Sequence, residues 1–278
     1  MEALGVVFLA MILVCMALVV MLAVALRANP STIGQNARRF VTEHDNFFME
    51  FLMPLWPFLI ICIVAREILG QFMGDYAVGL ILLLPESYLT AIFAIAWHRC
   101  VLQGADRKHR VNMWRPQKSE TRFFITALLL GFATGAFVGV VSGVLSVLNV
   151  FLGWVVIVPS IAFAMYCWLR LSLVLPALAI NRPISLAESR ALTKGKTGQM
   201  FLAIVSAIWP AVLKIIVYLV VLAMFFETLN AEAVWVTHLR AILASLPVAL
   251  YFNFQIVAGI ATVLSAYYRN LINGGDVF

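Results

Sequence analysis

Apolar residues in this chain come in unbroken runs separated by short polar stretches, with no strict alternation between faces. A helix needs about 20 such residues to cross the hydrocarbon of a bilayer. The period of two that a transmembrane β-barrel requires is missing. Because backbone groups inside a membrane must pair within their own segment, the pattern predicts an all-α fold: a polytopic transmembrane helix bundle of about seven spans. These fall at about residues 3–26, 51–69, 78–97, 123–148, 154–179, 200–226 and 241–268, so that residues 1–278 form a single integral membrane domain.

The first run ends in Ala23-Val24-Ala25, which resembles a signal-peptide cleavage site. Its leading flank holds Glu2 and no Lys or Arg, and its apolar core exceeds the ~7–15 residues of a signal peptide. A retained anchor is therefore expected. Two inner stretches mix charges with apolar residues: an amphipathic helix is expected over residues 37–48, lying in the headgroup region, and a second over 185–194. The second opens with Ser185 and Glu188 at capping-box spacing and should stop at Gly195. A tight turn near residues 149–153 should join the fourth and fifth spans as a hairpin.

Composition agrees: 64% of residues are hydrophobic and 12% charged, against roughly half and a quarter in soluble domains. Charge adds an orientation. Of the 19 Lys and Arg residues, 15 fall on alternate inter-span segments, Arg240 alone lies on the other set, and Arg66, Arg170 and Lys214 fall within spans. Positive residues collect on the cytoplasmic side, so the amino terminus is expected outside and the carboxyl terminus in the cytoplasm. The net charge of +6 sits in short loops flanking spans, where anionic headgroups account for it. Membrane lipids are the expected partners, with other membrane proteins or self-association also open, and no nucleic acid.

Candidate chemistry is sparse. Cys15, Cys62, Cys100 and Cys167 are scattered, and His44, His98, His109 and His238 have no ligand spacing, so no metal or cofactor is expected. No GxSxG, HExxH, P-loop or GxGxxG is present. An enzyme is not expected, although an intramembrane one using Glu86 as acid or base stays open.

Two features remain. Gly131, Gly135, Gly139 and Gly143 recur every fourth residue, a glycine zipper whose shared face lets another backbone approach closely. Packing on the fifth span is favoured over dimerisation, because that span is already adjacent. Several polar groups lie at membrane depth: Glu86, Lys214, Arg170, Arg66, Asn253 and Gln255. Charges there are costly, so Glu86 and Lys214 should face the interior and find partners, either as a structural pair or along a solute path. A faint repeat, Phe48 eight residues before Trp56-Pro57 and Phe201 eight before Trp209-Pro210, would fit a transporter, yet Trp and Pro are common where helices enter a membrane.

The runs Ala96-Trp97-His98-Arg99-Cys100, Arg170-Leu171-Ser172-Leu173-Val174-Leu175-Pro176-Ala177 and Glu188-Ser189-Arg190-Ala191-Leu192-Thr193-Lys194-Gly195 carry a resemblance. Over roughly residues 38–201 the chain resembles the membrane domain found with glycerophosphodiester phosphodiesterases and the free-standing YciC-like polytopic proteins. The resemblance implies a bacterial inner-membrane protein with a helical bundle and no defined activity. Nothing here matches the phosphodiesterase catalytic domain, so hydrolysis is not implied. The function expected is that of a non-enzymatic integral inner-membrane protein interacting with lipids or other membrane proteins. The alternative is a small-solute or ion transporter using Glu86 and Lys214.

Overall fold

A computed structural model describes residues 32–104, 114–148, 150–227, 246 and 248–273. Among them the fold is all-helical, and six helices are long and apolar enough to cross a membrane. This is a multi-pass membrane protein. The expected first span, the middle of the basic loop and the start of the seventh span lie outside the described residues.

The chain begins with α1 (Thr32–Glu43) and α2 (Asp45–Leu52), which runs through a tight turn at Met53–Leu55 into α3 (Trp56–Met73). Gly74, with φ of 78°, ends α3 and starts α4 (Asp75–Gln103); only a residue without a Cβ takes that backbone easily. Pro85 sits inside α4. Next come α5 (Lys118–Leu148), α6 (Val150–Leu171) and the short α7 (Val174–Ala179). The capped α8 (Leu186–Leu192) and the long α9 (Thr197–Glu227) follow. A π-helical turn at Val248–Phe252 leads into α10 (Asn253–Asn273).

The centre is α10, which packs against α4, α9 and α1, while α5 and α6 pair as a peripheral hairpin. Burial separates the two: 61% of the α10 span is buried, against none of the α5 span. Trp97 anchors the core. It is wholly buried and donates its indole N–H to Thr262 Oγ1 at 2.9 Å. Phe40, Phe48 and Phe51 meet its ring edge-on, and Phe93 stacks on it at 5.8 Å.

Those contacts change the expectation for residues 37–48. The stretch is helical, but it is docked rather than spread on a surface, because its apolar face is spent on protein. Ala37 and Phe48 are fully buried, and a Cβ on Gly34 would stand 2.6 Å from the Ala203 carbonyl oxygen. The second amphipathic helix forms as expected: Ser185 Oγ accepts from the Glu188 N–H at 3.1 Å while the Glu188 carboxylate accepts from the Ser185 N–H. Gly195, at φ 76°, lies in the turn that ends it.

The fifth span is not one helix, for it breaks at Ser172-Leu173. The break is held by side chains from α8. Ser189 donates to the Arg170 carbonyl, the Thr193 hydroxyl lies 3.2 Å from that carbonyl and 2.9 Å from the Ser189 carbonyl, and the Arg170 guanidinium donates to the Arg190 carbonyl. The hairpin turn is also shorter than expected, since α6 starts at Val150 and takes Gly153 into helix. The Trp-Pro repeat finds no structural counterpart: Trp56-Pro57 opens α3, whereas Trp209-Pro210 lies within α9.

Candidate functional site

A lateral groove runs mainly between three helices, with Trp168 of α6 and Leu175 of α7 completing its lining, and the registers of the three can be aligned from two contacts. His98 of α4 meets the Phe123 ring of α5 at 5.8 Å and the Ser265 hydroxyl of α10 at 2.7 Å. From that level α5 runs antiparallel to α4 and α10 runs parallel to it. Twelve residues back along α4, about 18 Å at 1.5 Å per residue, lies Glu86. The same step reaches Gly135 on α5 and Asn253 on α10, and all three line the groove. A step of eight residues sets Gly131 level with Thr90.

The groove has a volume of about 710 Å³, within the usual range for ligand sites. Its α4 wall is Leu80, Leu83, Ser87, Ala91 and Ala94, and its α5 wall is Phe124, Ala127, Leu128, Phe132 and Ala136. The polar groups collect mainly at the Glu86 level. Glu86 accepts from Arg66 Nη2 through both carboxylate oxygens, at 2.7 and 2.8 Å. The pair bridges α3 and α4 and is half-exposed. Glu86, Thr90 and Asn253 also line a second cavity of about 330 Å³, together with Arg66 and Glu67, so this polar layer stands between two openings.

The expected partnership of Glu86 with Lys214 is corrected. Glu86 returns after the turn at Gly74 to the depth of Arg66 and pairs with it, whereas Lys214 is exposed on α9 and lines neither cavity. Asn253 joins Glu86 as expected, while Gln255, two residues on and turned away, lines neither cavity. Arg170 lies apart, at the break after α6.

The glycine face is corrected too. A Cβ on Gly131, Gly135, Gly139 or Gly143 would meet nothing within 4 Å. Among the described residues nothing closes that face. Gly131 and Gly135 instead form part of the groove wall, where a missing side chain widens the space.

The most buried charged pair among the described residues was not foreseen. Arg99 Nη1 donates to Glu120 Oε1 at 2.8 Å, with side chains 11% and 4% exposed. The Arg99 Nε also donates to the Ala179 carbonyl, and the Gln117 N–H to Glu120 Oε2. Glu120 is one of two acids in the basic loop; its place one turn before the fourth apolar run was the available signal.

The chain matches no protein-family model, no curated protein and no solved structure.

Proposed function

We propose that this is a non-enzymatic inner-membrane protein that holds a membrane lipid or a related amphiphile in the groove between α4, α5 and α10. The observation that carries the reading is the groove's chemistry. Long walls of Leu, Phe and Ala suit a hydrocarbon chain, and one polar layer of Glu86, Thr90 and Asn253 suits a single hydrogen-bonding group on the same molecule. A hydrophilic solute would find too few partners along such walls. The alternating basic loops support the amino terminus outside and the carboxyl terminus in the cytoplasm. The resemblance to the YciC-like proteins supports a bacterial inner membrane.

The test is lipid analysis of the full chain purified in mild detergent, beside Gly135→Leu and Glu86→Gln. The Gly135→Leu side chain fills the groove where the wild type has open space, so bound lipid should fall several-fold with the fold intact. Equal lipid content in all three proteins would sink the reading. Transport is the second reading, and it rests on Glu86, Thr90 and Asn253 lining both cavities. Flux in liposomes that Glu86→Gln abolishes, with lipid content unchanged, would put it first.

A further inference from the structure

A third cavity, of about 450 Å³, opens at the other end of α4. Gln103 closes that helix, Arg182 follows α7, and Tyr268, Arg269 and Ile272 belong to the last turns of α10. Two arginines from different elements therefore line one space. Among the described residues no carboxylate lines it, and neither arginine is in an ion pair.

Helix ends could themselves consume such donors, since their last carbonyls lack partners. Four of those carbonyls, on α4 and α7, are occupied within the described residues. Cys100 O accepts from the Gly104 N–H, Ala177 O from the Arg182 N–H, Leu178 O from the Asn181 N–H, and Ala179 O from Arg99. Among the described residues no ion pair takes up the guanidinium of Arg182 or Arg269, which leaves both open to an acceptor from outside. Arginine presents a planar fork that matches phosphate oxygens two at a time, and Leu102, Ile180 and Ile272 add apolar surface beside it.

We propose that this cavity binds a phosphate group through Arg182 and Arg269, with Tyr268 and Gln103 as further donors. The phosphate comes either from the headgroup of an anionic phospholipid or from free phosphate in solution. This site is separate from the groove, and the inference does not rest on the groove's occupant.

The full chain, purified in mild detergent, is mixed with equal amounts of phosphatidylglycerol and phosphatidylcholine, and bound lipid is counted by native mass spectrometry. Inorganic phosphate is added in a parallel titration. One phosphatidylglycerol should be retained in preference to phosphatidylcholine, and each Arg→Gln change at 182 or 269 should weaken it about tenfold. Arg→Lys changes should restore part of the affinity.

Ile272→Glu provides a second variant at a surface position that is 43% exposed. It sets a carboxylate beside the arginines and should abolish binding without depending on their removal. Gly135→Leu should lower total bound lipid through the groove yet leave the arginine-dependent preference for phosphatidylglycerol in place, which separates the two sites. If millimolar inorganic phosphate displaces the lipid, or binds alone with the same dependence on the arginines, the source is free phosphate. Equal retention of both probes by the wild type, Arg182→Gln/Arg269→Gln and Ile272→Glu would overturn the proposal.

Discussion

Two arginine–glutamate pairs tie α4 to its neighbours. Arg99–Glu120 is almost fully buried, and its polar atoms take further partners from the Ala179 carbonyl and the Gln117 N–H. Arg66–Glu86 joins α3 to α4, half-exposed, with a cavity on either side. A buried pair surrounded by hydrogen bonds has no capacity left for a visitor, and losing one member strands the other in a medium that cannot solvate it. A pair at the edge of open space can exchange its partner for a ligand. Similar contact distances thus describe a structural fastening in one place and an available site in the other.

The comparison breaks most visibly on stability. Glu120→Ala should cost about 3–5 kcal/mol in thermal or chemical unfolding, because Arg99 stays buried without its counter-charge. An equal loss from Glu86→Ala would mean that the two pairs are the same kind of feature.

Close approach and open space among the glycines give the next contrast. Gly34→Val should destabilise by about 1–3 kcal/mol, since its side chain must displace the backbone of α9 at Ala203. Gly135→Leu should be neutral or stabilising by up to about 1 kcal/mol, as helix propensity favours Leu and nothing stands in its way. Unfolding of the two variants side by side checks both signs.

A double-mutant cycle sharpens the assignment of Glu86. Coupling with Arg66 should be about 0.6–1.7 kcal/mol, the range for polar contacts within membranes, while changes at Glu86 and Lys214 should be additive. Coupling to Lys214 instead would reinstate the partnership the structure replaces.

The smallest effect concerns the cap of α8. Ser185 N–H donation holds the Glu188 carboxyl below the usual carboxylate range. A depressed carboxyl contributes above its unfolded-state value and loses that contribution as pH falls through the folded one. Protection of the Ser185 amide from hydrogen exchange should therefore be present at neutral pH and decline in acid, and Glu188→Ala should remove the dependence.

The six apolar helices among the described residues were legible in the chain because an apolar run long enough to cross hydrocarbon has few other uses. The capping box was legible because its partners lie three residues apart. Pairing was not. Arg66 and Glu86 stand 20 positions apart, and only the turn at Gly74 sets them at one depth. Lys214 has the same apolar sequence surroundings and ends facing outward. Four-residue spacing placed the glycines on one helix face, but spacing is silent on whether a neighbour fills that face. Likewise, hydropathy ran straight through the break at Ser172-Leu173, because the groups that hold it open come from α8 and not from the span itself.

Pro85 stands immediately before Glu86, and its ring nitrogen has no hydrogen to give the Ile81 carbonyl one turn earlier. One rung of the α4 ladder is therefore missing at the depth where the carboxylate meets Arg66. A rod with a missing rung flexes there at lower cost than elsewhere, so the compliance of α4 is concentrated beside its charge. The weak point of α4 therefore lies beside the carboxylate that fastens it to α3 and faces the groove.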